Sequence, residues 1–276
     1  MFLVYDKNMN LISYPDGAKP LDIFIHSIRK KRNQEEIEGR NGIIDHGFTY
    51  DTRLIETKML LKSYDAKDYE LLRDEIYNLL DDIYYISEER EKGKRFKVTT
   101  SESIIPEKFT KRVSTILVNF NTAEIPFAES IGTAKDIDLR GINAEDELWG
   151  FGMGLIDDPD SHKYTHTGTS FKIYNAGNES IHPFEQELKI TISNIQGSTN
   201  FFELRNLTNN TVFHVNEAVS SDKKIVINGP NVTQNDLAFL RKTTKEFIEL
   251  NKKWNEFKIT GATSARVEFD FRFYYK

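Results

Sequence analysis

Polar and apolar residues alternate without a break in the C-terminal stretch ARVEFDFRFYYK (265–276). Val267, Phe269, Phe271, Phe273 and Tyr275 fall on one face, and Arg266, Glu268, Asp270 and Arg272 on the other. Period two is the signature of a strand with one buried face. Large apolar side chains in that register must close a sheet over a core, and each is worth ~1.5–3 kcal/mol when fully buried. ELKITISNI (187–195) repeats the pattern, with Leu188, Ile190 and Ile192 facing Lys189, Thr191 and Ser193. FFELRNLTNNTVFHVNE (201–217) predicts a hairpin turning at 208–211, where Asn209 and Asn210 tolerate positive φ. KKIVING (223–229) adds a short strand. Short strands at intervals of about 8–12 residues indicate a β-sandwich. NDLAFLRKTTKEFIEL (235–250) is open on periodicity. It reads as a helix with Leu237, Leu240, Thr244, Phe247 and Ile248 on one face, or as two strands, AFLRK and EFIEL.

The first half is mixed. FTYDTRLIETKMLLKSY (48–64) is rich in β-branched and aromatic residues and suggests a strand buried on both faces. DAKDYELLRDEIYNLLDDI (65–83) follows and predicts a helix. Asp65 stands at the N-cap with Asp68 three residues on, and Leu72, Ile76, Leu79, Leu80 and Ile83 form an apolar stripe. After a charged turn, EEREKGKR (88–95), strands resume in FKVTT (96–100) and RVSTILVNFNT (112–122). Residues 129–170 are rich in Gly, Asp and Thr, lack steady periodicity, and read as a domain junction. YNAGNESIHP (174–183) reads as a sheet corner, with Gly177 and Asn178 as positive-φ turn residues and Pro183 holding His182 extended.

A length of 276 residues allows two domains, each large enough for its own core. The 19 Phe and 12 Tyr against 15 Gly and 7 Pro argue for a folded, strand-rich chain. A net charge of −6 gives no overall footprint for nucleic acid. The basic run SIRKKR (27–32) is followed at once by NQEEIE and reads as a solvated loop. The absence of cysteine removes disulfides, thiolate metal sites and cysteine nucleophiles. MFLVYDKNMN lacks the basic start of a signal peptide, and no apolar run reaches the ~18 residues of a membrane span. A soluble, cytosol-made protein is expected, for which the sequons at Asn206 and Asn231 have no consequence.

Candidate chemistry is sparse. The sequence holds no G-x-S-x-G, no P-loop and no G-x-G-x-x-G, and GFGMG (150–154) has the glycines of a phosphate cradle without a flanking strand and helix. The weak metal candidate is DDPDSHKYTH (157–166), where His162 and His166 are four apart beside Asp157, Asp158 and Asp160. Pro159 and the Thr/Gly-rich sequel argue against a helix that would bring the two rings together, so a polar surface loop is the expectation. No pair among the 43 acidic residues stands out for glycoside cleavage. No catalytic residue, cofactor site or metal site is therefore expected.

FKIYNAGNESIHP (171–183), FIELNKKWNEFKITG (247–261) and VEFDFRFYY (267–275) together resemble the distal tail protein (Dit) family of long, non-contractile-tailed bacteriophages of Gram-positive hosts. GIIDHGFTYDTRLIETKMLL (42–61), the helix ending in LLDDIYYI and NFNTAEIPFAES (119–130) resemble that family's N-terminal domain. The resemblance implies a mainly β protein of two domains. Residues 1–140 would be a ring-forming β domain with one helix (65–83), possibly completed by the last strand, 265–276, and residues 150–264 a galectin-like β-sandwich. AFLRK, EFIEL and EFKITG would be strands, with NKKWN a hairpin turn. The function implied is that of a structural virion protein at the tail tip or baseplate, assembled in the host cytoplasm. A ring of six copies would join the tail tube protein to the tail-associated hub or lysin protein, with the tape measure protein in its lumen. Neither nucleic acid nor membrane is an implied partner. RNGIIDHGF (40–48) and AEIPFAES (123–130) are candidates for clasping the neighbouring subunit, through Ile43, Ile44, Phe48, Ile125 and Phe127.

Two other functions compete. A cell-wall carbohydrate adhesin would use the sandwich, where His214, Asn216 and Trp254 partly match the sugar-binding set of galectins but the arginine and the motif order are missing. A metal-assisted hydrolase would centre on His162 and His166. The terminal alternation also yields a test: deleting the last ten residues should leave an insoluble chain without a cooperative melt, and a soluble truncation that melts cooperatively would refute this reading.

Overall fold

The computed structural model describes every residue except 82, 101–102, 143–147 and 151. The chain divides into two compact units, one formed by Met1–Ala128 with Lys276 and the other by Glu129–Tyr275. The fold is mainly β, as the alternation predicts.

In the first unit the strands are β1 (Phe2–Tyr5), β2 (Ala18–Ile25), β3 (Lys30–Glu35), β4 (Ile44–Tyr50) and β5 (Leu54–Lys62). Helix α1 (Ala66–Asp81), β6 (Tyr85–Glu88), β7 (Lys94–Thr100), β8 (Glu107–Lys108) and β9 (Val113–Thr122) complete it. The main sheet runs β1-β6-β7-β9-β5-β2, with β8 also on β9. The stretch 48–64 is therefore two strands, and β5 is not buried on both faces. Its burial alternates, with Ile55, Thr57, Met59 and Leu61 inside, and register places them opposite Phe120, Val118, Ile116 and Ser114 of β9. Charged Glu56 and Lys58 cannot join them without partners, so they take the other face.

Helix α1 covers the buried face. Asp65 caps it by accepting hydrogen bonds from the Lys67 and Asp68 amides at 2.8 and 2.9 Å. Asp68 reaches back to the Tyr64 amide at 2.7 Å. Leu72, Ile76 and Leu80 are buried as the stripe predicts, but so is Tyr69. Its hydroxyl donates to Ser114 Oγ at 2.8 Å, which satisfies two buried polar groups at once.

β10 (Ala128–Ser130) starts at the boundary residue, and the second unit continues with α2 (Ala134–Arg140), β11 (Thr165–Gly168), β12 (Ser170–Asn175), β13 (Leu188–Gln196) and β14 (Phe202–Asn206). Then come β15 (Val212–Val215), β16 (Ile225–Asn228), β17 (Asn231–Gln234), β18 (Leu237–Ala238), β19 (Lys253–Thr260), β20 (Ser264–Phe271) and β21 (Tyr274–Tyr275). One sheet has six strands, β11-β20-β13-β16-β17-β18, and the other four, β12-β19-β14-β15. Their inner faces meet as in a β-sandwich. Phe257 of β19 packs on Phe269 of β20 with ring centroids 5.0 Å apart, and Phe171 of β12 meets Phe269 edge-on at 6.1 Å.

The structure departs from several sequence expectations here. Helix α2 lies in the stretch read as a junction. Asp136 closes its first turn by accepting from the Thr133 amide at 2.8 Å, a signal that a seven-residue helix is too short to repeat. The terminal alternation is interrupted at Arg272–Phe273, between β20 and β21, although Phe273 and Tyr275 remain buried as expected. There Arg272 donates to Ser130 O at 3.0 Å, to Ile131 O and to Glu187 at 2.9 Å. Among the described residues, neither Gly177 nor Asn178 has positive φ. Gly177 is required by crowding instead: a Cβ there would lie 2.7 Å from Tyr274 O and 2.8 Å from Tyr274 N.

Residues 235–250 form neither a helix nor the two strands AFLRK and EFIEL. Beyond β18 they hold a single 3₁₀ turn at Leu240–Lys242 and bridge the fold at Leu250, opposite Ile181. NKKWN is not a hairpin turn, since Lys253 and Trp254 already belong to β19. A network of asparagines holds the end of this stretch, from Glu249 to Asn255. Asn206 and Asn255 are fully buried. Asn206 Nδ2 donates to Glu249 O at 2.8 Å and to Asn255 Oδ1 at 3.0 Å. Asn255 Oδ1 also accepts from the Asn251 amide at 2.8 Å, while its Nδ2 donates to Asn251 O and Lys253 O at 2.8 and 3.1 Å. Side chains thus take the backbone bonds that a strand ladder would have used.

Two predictions follow from this packing. Asn255→Ala strands buried partners on three residues and should cost about 2–4 kcal/mol, read as a midpoint lower by roughly 5–15 °C, whereas exposed Asn228→Ala should be neutral. Glu203 gives a pH dependence. Burial pulls its carboxyl up, but hydrogen bonds from Arg205 and His214 outweigh that and hold it below its usual range. A depressed folded-state value means the stability is present above the unfolded value of about 4.3 and is lost as pH falls through the folded one. Acidification from about pH 5 to 3 should therefore destabilise the wild type more than Glu203→Gln, as measured by denaturant midpoint.

Candidate assembly surface

Strands β3 and β4 form a two-stranded sheet of their own. SIRKKR is thus the start of a strand rather than a loop, because Lys30, Lys31 and Arg32 pair with Tyr50, Thr49 and Phe48. All six residues of β3 are exposed. Cross-strand contacts hold the ribbon: Arg32 pairs with Asp45 at 2.8 Å, His46 with Glu35 at 3.0 Å, and the Lys30 ammonium sits 4.5 Å from the Phe48 ring centroid. Surface pairs of this kind contribute little each. An isolated hairpin is marginal in water, and both of its outer edges present unpaired backbone groups.

The apolar residues of the ribbon make the same point. Ile43 is 49% exposed and Phe48 42%, and Ile44 and Ile125 are half-buried. Phe127 departs from the expectation of an exposed clasp. It is buried within its own unit, edge-on to Tyr50 at 5.8 Å, so the aromatic that was to reach a neighbour is spent on the base of the hairpin. Sequence reasoning also missed β2. It ends the main sheet, and Leu21, Phe24 and Ile25 on it are exposed. The signal was present in PLDIFI (20–25), where apolar residues stand beside Pro20 and Asp22.

The other candidates do not gather into a reactive centre. Pro159 starts a short 3₁₀ turn, Pro159–His162, as suits the first helical position, but the turn ends there and His166 lies on β11, so no helix brings the two rings together, as expected. His162 Nε2 lies 2.9 Å from Ile156 O and His166 Nε2 3.1 Å from Lys163 O. Each ring nitrogen therefore donates to a carbonyl and presents no lone pair there. His166 stacks flat on Phe171 at 4.8 Å, and burial holds its imidazole below the usual value. No cluster of three or more His, Asp or Glu suited to a metal occurs among the described residues. Of GFGMG, Phe151 lies outside them, while Gly154 is fixed by close approach, with a Cβ there only 2.0 Å from Ala176 O.

The partial galectin set is also dispersed. His214 of β15 lies opposite Glu203, which lies opposite Thr260 of β19. Trp254 is six residues up β19 from Thr260, roughly 20 Å away along the strand. Its ring rests on Tyr174 at 5.1 Å, and His214 stacks on Phe201 at 5.3 Å. The asparagine is apart too: Asn216 is exposed beyond the end of β15. No helix among the described residues is long and apolar enough to cross a membrane.

Against known proteins, residues 7–122 match the family model of the phage tail protein RIFT-related domain. No curated protein sequence matches significantly. Among solved structures, the chain resembles the Dit protein of phage SPP1, a hub of the adsorption apparatus in phages infecting Gram-positive bacteria, at TM-score 0.66 and 12% identity, over 99% of each chain. A chain of the phage p2 baseplate in its activated conformation aligns over 98% of this chain and 97% of its own, at 11% identity and TM-score 0.41, and the fold assignment rests on the former. Both findings agree with the resemblance noted in the sequence: residues 7–122 match the family model of the phage tail protein RIFT-related domain, and the chain as a whole shares the fold of SPP1 Dit.

Proposed function

We propose that this protein is a structural component of a phage tail tip, whose first units associate into a ring. Six copies, the number implied by the sequence resemblance, would close it. The ring would join the tail tube to the hub protein and leave a lumen for the tape measure, in a virion assembled in the host cytoplasm. The observation that carries this reading is the β3–β4 ribbon. A free hairpin with two open edges and exposed Ile43 and Phe48 is poorly stabilised by its own chain, and a second copy lying along it would pair the edges and cover the apolar residues. The exposed β2 edge of the same unit offers a second strand for such pairing. The family match over the same unit and the likeness to SPP1 Dit support the assignment. No catalytic step is needed for this role, and the protein acts through its interfaces.

Light scattering on a size-exclusion column tests the proposal over a hundredfold range of concentration. Mass should climb from that of the 32.0 kDa chain toward a closed multimer. Ile43→Lys with Phe48→Ser should hold it at the monomer, at a stability cost of about 0.5–2 kcal/mol from the Lys30 and Tyr50 contacts that Phe48 makes. A chain that stays monomeric alone and with its tail tube and hub partners, or a double variant that still assembles, would overturn it.

A further inference from the structure

Asn-Gly occurs twice in the chain, at 41–42 and at 228–229. In such a pair the glycine amide nitrogen is placed to attack the side-chain carbonyl carbon of the asparagine and close a five-membered ring. Glycine has no Cβ to obstruct that approach, which makes the pair chemically labile. The two pairs share this chemistry and have opposite surroundings.

Asn41 and Gly42 stand in the loop that joins β3 to β4, and both are exposed. Gly42 has φ +88°, and nothing lies within 4 Å of the place its Cβ would take. Among the described residues, neither the Gly42 amide nor the Asn41 side chain has a hydrogen-bond partner. Asn228 and Gly229 are held instead. Asn228 pairs with Asn231 across the β16–β17 hairpin. The Gly229 amide donates to Leu188 O at 3.3 Å, and a Cβ on Gly229 would lie 3.1 Å from Pro183 O. An amide engaged as a donor in a packed hairpin does not swing onto the preceding side chain until that hairpin opens.

We propose that Asn41 is a site of spontaneous deamidation, selected by the fold over Asn228. Base removes the Gly42 amide proton, the nitrogen bonds to Asn41 Cγ, and the Cγ–Nδ2 bond breaks to release ammonia. Water then opens the succinimide at either carbonyl. Cleavage of the new N–Cγ bond leaves an aspartyl residue. Cleavage of the original peptide bond leaves an isoaspartyl link, with the main chain running through Cγ and longer by a carbon atom. Water is the only co-reactant. Both products carry a carboxylate that is ionised above about pH 4, in a loop that already holds Glu36 and Glu38 and two residues before Ile43. The reaction therefore changes the charge of the ribbon's turn, and in the isoaspartyl form its length. It is independent of ring formation, because it needs only the loop of a single chain.

Peptide mapping of the full chain after incubation at mildly alkaline pH tests it. Digestion at lysine leaves Asn41 within residues 32–58 and Asn228 within 225–242, and each deamidation adds about one dalton. In the folded chain Asn41 should convert at least about tenfold faster than Asn228, the ratio that about 1.4 kcal/mol of local opening would produce. In guanidinium chloride, where both loops are released, the two rates should converge. Asn41→Gln keeps an amide but must close a larger ring, and it should remove the acidic species that ion-exchange chromatography resolves in the aged wild type. An Asn41 that stays intact, an Asn228 that converts as fast in the folded chain, or a ratio no greater in the folded chain than in the denatured one would overturn the proposal.

Discussion

The second unit depends on where its last long strand goes. β20 pairs with β11 on one side and β13 on the other, and its apolar face supplies Phe269 to the rings of the opposite sheet. Its continuation holds the edge of the fold. Tyr274 O accepts from the Asn178 and Glu179 amides at 3.0 and 3.2 Å, and its hydroxyl accepts from the Glu187 amide at 2.9 Å. Glycine at 177 follows from this, since the backbone of Tyr274 occupies the space a side chain would need. The corner between β12 and β13 is thus shaped from outside by a segment almost a hundred residues away in sequence.

That distance explains what the sequence shows and what it hides. Alternation fixes faces, so the inward set of β13, Leu188, Ile190 and Ile192, could be read directly, and every one of those residues is buried. The cap and stripe of α1 could be read for the same reason, because each is local. Gly177 was legible as special but not for the right cause: a turn and a close approach leave the same letter in the sequence. The end of the stretch 235–250 was opaque because the Glu249 carbonyl is held by Asn206 and Asn209 from another hairpin, which no periodicity records. Of the surface residues singled out for contact, Ile43 and Phe48 are exposed while Phe127 is not. An apolar residue beside turn signals marks either a surface or the packed base of a turn, and only the fold separates them.

The two units treat unsatisfied backbone differently. In the sandwich, irregular segments are answered internally by buried asparagines, a costly arrangement when incomplete and a rigid one when complete. The ribbon of the first unit has no such answer. Its stability comes from a few exposed cross-strand pairs, which places it at the low end of the range of local stabilities within a folded protein. Rigidity and adaptability are thereby separated along one chain.

The position of β20 also imposes an order in time. Residues 1–128 are made before the second unit, and they include all six strands of the path β1-β6-β7-β9-β5-β2. The sandwich cannot close as its strands emerge one by one, because the strand between β11 and β13 is made after every other long strand of that sheet. Until then β13 keeps an open edge with its apolar face uncovered, a state prone to wrong pairing when many copies are made at once. Synthesis of β20 therefore sets when the sandwich can close: the six-stranded sheet is whole only once residue 271 has been made.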